Sequence, residues 1–475
     1  MDNVSIASEL PLRTELYSNH ALTVFTDHRS PVDIAKDVAC LKSAQGDDLP
    51  FMVMDAGRVM AQMAEWRRLL PRVEPFYAVK CNNDPVLMRL LADQGAGFDC
   101  ASKGEIDQIL EHGLAPPEKI IYANPCKTRN YIKHAARCQV NMMTFDCEDE
   151  LHKVKSFHPH AQMILRIAVS DPTAQCPLNI KFGCDPIQAG PALLAAAAEL
   201  SVDVVGISFH VGSGCNDPTA YAVAIGHARR LFDLGDSLGH QMTILDLGGG
   251  YPGHPTENIT FPQIAGVING ALDEYFPEVG YNAVRVIGEP GRFFASAAFT
   301  LVTNVIAKTK VPASRITQNE HDATTDGFMY YLNDGVYGSF NCILYDHNRP
   351  TGRPLFERPE DTDASRQTWA ALWGPTCDGL DQITSKCRLR RLNEGDWVAW
   401  DNMGAYTCAA GSEFNGFPRP NIYYFIADKE WQALREQSLS SPDGQEDEIR
   451  SVASSFSSCS GFDSAFGDEY DNFVY

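Results

Sequence analysis

No stretch of the sequence approaches the roughly 18 unbroken apolar residues that a membrane-spanning helix needs, so no membrane partner is expected. The opening residues, MDNVSIASEL, lack the basic flank and apolar run of a signal peptide, so nothing there directs the chain to secretion. Positive charge is scarce: 39 Lys and Arg stand against 61 Asp and Glu, for a formal net charge of -22. Nucleic acid is bound through clustered basic residues, so none is expected as a partner, and a small cationic substrate suits this balance better. The 14 cysteines include no CxxC pair. That pattern excludes a disulfide scaffold and implies reduced thiols in the cytoplasm, and no metal site is expected.

What is present is enough chain for two domains, since 475 residues exceed one ordinary domain, and a hydrophobic content of 44% with 10% aromatics is that of a globular protein. Eight short apolar runs follow one another: FYAVK, GFDC, IIYA, MMTF, MILRIAV, VVGISFHV, TILDLG and VRVIGE. Every gap between them has room for a helical crossover. Asp84-Pro85 and Asp217-Pro218 each place a capping side chain before a helix-starting proline, and Ser102 to Glu105 has capping-box spacing. Eight strand-helix units predict a closed (β/α)8 TIM barrel. The alternative, an open doubly wound sheet, carries a glycine-rich turn after its first strand, and none is present.

After about residue 298 the runs become β-type, as in FTLVTNVIAK, FMYYLNDGVYGSFN, DWVAWDNMGAY and NIYYFIA, with no comparable amphipathic helix between them. A second, all-β domain of sandwich or barrel-like form is expected, with the strand LPFMVMD drawing the amino-terminal segment into it. The expected division is 1–55 as an N-terminal segment of the β domain, 56–297 as the barrel, 298–435 as the C-terminal β domain and 436–475 as a tail. The polar stretch 313–327 is expected to be a mobile loop. The Ser- and acid-rich tail has too few aliphatic residues to repay ordering and is expected to be disordered.

A barrel of this kind carries its active site at the C-terminal ends of its strands, and those ends are polar here. The first ends on Lys80 and the second on Asp99; the fifth carries Arg166 and the sixth ends on His210. The seventh runs into Gly248, Gly249 and Gly250, and the eighth ends on Glu289, with Gly291 and Arg292 just beyond. A single lysine at a strand end is ordinarily a solvated surface group, but so many polar ends on one rim point to a site. Loops seven and eight commonly hold phosphate in such barrels, where glycines let backbone N-H groups form an anion nest, and Arg292 supplies a bidentate partner. A lysine facing that site can form a Schiff base and a carboxylate can pair with a protonated pyridine nitrogen, the needs of pyridoxal 5'-phosphate (PLP).

The motifs PFYAVKCN, GFDCASKGEI, IIYANPCK, SFHVGSG, LDLGGGYPG, GEPGRFF, YGSFNCILYDH, WGPTCDGLD, NMGAYT and FNGFPRPNIYY resemble those of the eukaryotic ornithine decarboxylases, a fold-type III PLP family, over about residues 70 to 425. The resemblance implies that Lys80 carries the cofactor, Glu289 holds the pyridinium proton and His210 stacks on the ring. It implies that Ser213, Gly250, Arg292 and Tyr406 hold the phosphate, with Asp99 and Arg166 near the reactive edge. Asp346 and Asp378 match carboxylates that grip the distal ammonium of L-ornithine, with Tyr345 beside Asp346, and Cys377 matches the acid that returns a proton to Cα. Phe414 and Asn415 match a loop that approaches from the partner subunit, so a homodimer with shared active sites is implied. Taken alone, either aspartate could be a turn residue and Cys377 a small buried hydrophobe.

The same family includes antizyme inhibitors, non-catalytic regulators that have lost parts of the PLP site, so such a regulator is the alternative. Lysine or diaminopimelate decarboxylases use the same machinery, and one methylene in a distal pocket is worth only about 1 to 3 kcal/mol, so a mixed lysine/ornithine enzyme is a further alternative. A racemase of this fold type would present a tyrosine base where this chain has TCDG. Residues 130–154 resemble the region where antizyme docks in animal homologues, although an ordinary barrel helix and strand account for them more simply.

Overall fold

Each of the eight apolar runs is too short and too continuously apolar to face water, and in a computed structural model they close into one parallel barrel. The structure describes residues 12–26, 29–169, 173–176, 178–255, 259–281 and 283–440. The strands are Val73–Ala78, Gly97–Cys100, Ile120–Tyr122, Met142–Phe145, Gln162–Ile167, Val204–Phe209, Ile244–Asp246 and Arg285–Gly288. The last pairs with the first through Val286 and Val73, which leaves no edge. Phe76, Ile121, Met142, Ile164, Ile244 and Ile287 form a buried cluster of their own, apart from the larger core that includes the helices. Strand six approaches strand seven so closely that a Cβ on Gly206 would lie 2.0 Å from the carbonyl oxygen of Ile244.

The helix signals are met in two of three places. Asp84 accepts from the Leu87 N-H at 2.9 Å, with proline at the first helical position. Ser102 accepts from the Glu105 N-H, but the Glu105 carboxylate reaches back to the Ala101 N-H, one residue before the cap. Asp217 does not cap across a first turn. It accepts from the backbone and hydroxyl of Thr219, where the helix begins, because a two-residue Asx turn is already satisfied at that point.

Strand Phe299–Pro312 leaves the barrel and enters a ten-stranded mixed sheet. The expected strand at 49–55 is Phe51–Asp55, which lies between Asn421–Ala427 and Phe299–Pro312, so both chain ends build this sheet. The unit is not purely β. Helix Pro31–Gln45 lays Ile34, Ala35 and Ala39 on a face of the sheet that includes Phe51, Val53, Val302 and Trp397. Helix Asp428–Ser440 buries Trp431 and Leu434. Residues 313–327 are a hydrogen-bonded corner, not a long open loop. Two short helices, Ser314–Thr317 and Glu320–Asp322, are tied by Thr317 Oγ1 donating to Asp322 Oδ2 at 2.7 Å, and Ile316 is buried. The helix reaches Ser440, into the segment expected to be a tail, and the rest of that expectation lies outside the described residues. Among the described residues no helix is long and apolar enough to cross a membrane.

Candidate active site

Lys80 follows the first barrel strand in the short helical turn Val79–Cys81 and points its ammonium at the Asp99 carboxylate of strand two. Asp99 is fully buried while the Lys80 side chain keeps 40% of its surface, so the ammonium faces the barrel mouth. Burial works to lower the lysine pKa, but the carboxylates of Asp99 and Glu289 outweigh it and hold the ammonium above the ordinary lysine value. His210, one residue beyond strand six, accepts the Gly212 N-H on Nδ1 at 3.0 Å. Burial, with Arg166 and Lys80 nearby, lowers its pKa well below the usual histidine range, so the ring is neutral and carries its proton on Nε2. A Cβ on Gly249 would lie 2.8 Å from that Nε2, so only a bare backbone passes the ring there.

Glu289 comes directly after strand eight. Burial first, then the charges of Asp246 and Asp99, raise its pKa well above the ordinary carboxyl value. Burial likewise pushes the Asp246 carboxyl up to about 7, against the Gly248 N-H that donates to its Oδ1 at 2.9 Å. Arg292 sits at the start of the short helix Arg292–Ala295. Its fork donates to Ser213 Oγ at 2.9 Å and to both oxygens of Asp346, at 2.9 Å and 2.5 Å. Beneath the guanidinium, 5.2 Å away, lies the ring of Tyr406, whose backbone holds a left-handed φ of 55° and donates to the Cys81 carbonyl. A non-glycine residue held there is a local strain of the kind that clusters at functional sites.

One cavity gathers Lys80, His210, Ser213, Gly249, Gly250, Glu289, Gly291, Arg292 and Tyr406. Asp99 joins it through Lys80 and Asp346 through Arg292. Gly248 does not line it: its carbonyl accepts the Glu289 N-H and so ties loop seven to strand eight. Arg166 lies with its guanidinium 5.4 Å from the Phe182 ring centroid and bears on His210 and Glu289 through its charge. The remaining candidates are elsewhere. Cys377 is exposed, Asp378 accepts from the Tyr337 hydroxyl, Phe414 leans on the Tyr337 ring at 4.5 Å, and Tyr345 is 71% exposed. Tyr337, Thr376 and Phe414 border a second pocket, which has no lining residue in common with the first.

Glu289 Oε1 and Arg292 Nε at the first cavity, and Asp99 Oδ1 behind Lys80, are buried without a hydrogen-bond partner among the described residues. An amine-bearing lysine, an Arg-Ser pair beside bare glycine loops and a buried carboxylate are what an aldehyde, a phosphate and a pyridine nitrogen each require, so these residues fit PLP. Residues 56–296 match the family described as pyridoxal-dependent decarboxylase, pyridoxal binding domain. The chain is 54% identical over 411 residues to the ornithine decarboxylase of Panagrellus redivivus, covering 86% of this chain and 93% of that one. The chain belongs to the ornithine decarboxylase family. PLP is the cofactor of this family. The chain is also 48% identical to antizyme inhibitor 2 of Xenopus laevis, over 85% of this chain and 87% of that one. Among solved structures, the arginine decarboxylase of Paramecium bursaria Chlorella virus superposes with a TM-score of 0.75 at 36% identity, over 83% of this chain and all of that one.

Three residues of this ornithine decarboxylase family site were not anticipated. Ala78 and Tyr251 line the cavity, and Asp246 stands beside Glu289. Asp246 ends strand seven, so the rule that polar strand ends mark the site would have found it.

Proposed function

We propose that the protein decarboxylates L-ornithine to putrescine, the first step of polyamine synthesis, as a cytoplasmic homodimer. The observation that carries this reading is the single cavity in which Lys80, His210, Ser213, Glu289 and Arg292 face one another. PLP, when bound, takes up the electron pair left on Cα as carbon dioxide departs. Lys80 would hold the cofactor through its amine, with Asp99 as the partner of that nitrogen. Glu289 would keep a proton at the ring nitrogen and neutral His210 would cover the ring face. Ser213, Arg292, Tyr406 and the backbone of Gly249, Gly250 and Gly291 would hold the phosphate, with Gly248 fixing their loop. A neutral imidazole is the suitable cover, because a cation there would oppose protonation of the adjacent ring.

Asp346, braced by Arg292, would share the distal ammonium of the substrate with Asp378, a pairing that offsets the cost of burying that charge. Cys377 would return a proton to Cα, and Tyr345 and Phe414 would flank the substrate. Phe414 and Thr376, next to Cys377 and Asp378, line the second pocket on the β unit and not the barrel cavity, which supports a second copy of the chain bringing Cys377, Asp378 and Phe414 over the barrel mouth. We also propose the division of the chain at 56, 297 and 435. Assay of the purified, PLP-loaded protein on ornithine, lysine and arginine tests the reading; ornithine should be preferred, and borohydride reduction should label Lys80. A second reading, a non-catalytic regulator that binds antizyme through residues 130–154, rests on the 48% identity to antizyme inhibitor 2. A protein that binds antizyme but takes up no PLP would establish it.

A further inference from the structure

On the outside of the barrel, helix Lys103–Glu111 runs beside helix Arg129–Arg137. Asp107 projects from the first. His134 projects from the second and Cys138 follows at its C-cap, four residues on, which puts both on one helix face. His134 Nε2 lies 2.5 Å from Asp107 Oδ1 and 3.5 Å from Cys138 Sγ, and the three donor atoms all fall within 4.8 Å of one another. Among the described residues no other group of three His, Cys, Asp or Glu donors converges this way.

An Asp-His-Cys relay would need the carboxylate on one ring nitrogen and the sulfur on the other. Here both face Nε2, so the arrangement passes no proton along the ring. It gathers an imidazole nitrogen, a thiol sulfur and a carboxylate oxygen around one point instead. For tetrahedral zinc, with Zn-N near 2.0 Å and Zn-S near 2.3 Å, the N to S edge is about 3.5 Å. The His-Cys pair already has that edge. The Asp-His edge is a hydrogen bond and must open by roughly 1 Å to reach ligand spacing. Lys103 pairs with the other oxygen, Oδ2, of Asp107, and this orients the carboxylate as an outer partner orients a ligand. None of the three residues lines the cofactor cavity.

We propose that Asp107, His134 and Cys138 form a site for a borderline-soft divalent ion of the zinc type, with water in the fourth position. One thiolate and one carboxylate neutralise the dication. On binding, Cys138 releases its proton to solvent and His134 Nε2 gives up its hydrogen to coordinate the ion, so binding releases protons. The ion ties two neighbouring barrel helices and stabilises the fold by mass action.

The test is titration of chelator-treated, PLP-loaded protein with cobalt(II) chloride. Wild type should bind one equivalent with a thiolate charge-transfer band and the visible bands of tetrahedral cobalt, and its melting temperature should rise with added zinc. Cys138→Ala and His134→Gln should each lose that equivalent and the melting shift while keeping their far-UV circular dichroism. A wild type with no thiolate-cobalt band, or either variant retaining it, overturns the site.

Discussion

Glu289 and Asp246 are two buried carboxyls at the ends of adjacent strands; burial and then the charge of Asp246 raise the pKa of Glu289, whereas burial raises that of Asp246 against a hydrogen bond from Glu289 that lowers it. Glu289 is placed to act on the cofactor ring, whereas the phosphate groups are supplied by Ser213, Arg292 and the glycine loops. Glu289→Ala should therefore lower kcat by about 100-fold or more while PLP affinity changes by less than about tenfold. Kinetics and cofactor titration read the two separately, and equal losses would make Glu289 an anchor only. For Asp246 the linkage has a definite sign. The folded chain binds this proton more tightly than the unfolded chain, so the stability it contributes is present below the ordinary carboxyl pKa near 4 and is lost as pH rises toward about 7. Asp246→Asn is neutral throughout and its amide oxygen can still accept from Gly248. Its melting temperature should therefore gain on wild type between about pH 4 and about pH 7 and hold a constant gap above that, and a gap that stays constant across the whole range would refute the assignment.

At the scale of elements, the two terminal helices were the hardest to read. Trp431 and Leu434 are each 1% exposed, so helix Asp428–Ser440 is an integral part of the β unit. Trp431→Ala should cost about 3 to 5 kcal/mol in chemical denaturation, while removal of residues 441–475 should leave activity nearly unchanged. A truncated protein without activity would sink the second expectation. The barrel strands were legible because each is a continuous apolar run bounded by turns and repeated eight times. Helix Pro31–Gln45 was not, because PVDIAKDVACLKSAQ spreads charge around its circumference and buries only Ile34, Ala35, Ala39 and Lys42. Its start was nevertheless written in Ser30, Pro31 and Asp33, which form a capping box. Lys80, His210, Glu289 and the loop-seven glycines were legible from strand ends, whereas Ser213 and Tyr406 lie away from them. The Arg292-Asp346 pair was not, since only the folded sheet brings residues so distant in sequence together.

For the whole molecule, the division of the predicted site has a consequence that can be measured. Lys80, His210 and Glu289 face the barrel cavity, whereas Cys377, Asp378 and Phe414 belong to the β unit beside a separate pocket. Several apolar side chains near these last residues are exposed, Tyr345 at 71%, Leu380 at 69% and Phe414 at 46%, as a face awaiting a partner would be. If two-fold pairing sets each β unit over the neighbouring barrel mouth, every active site takes Lys80 from one chain and Cys377 from the other. Lys80→Ala and Cys377→Ala should then be nearly inactive when assayed alone. After equilibrated mixing in equal amounts, about half the dimers are mixed, and in each of these one site carries both lesions while the other is intact. Activity should return to about a quarter of wild type. If a tagged pull-down confirms subunit exchange and no activity returns, each site is built within one chain and Cys377 is not its acid.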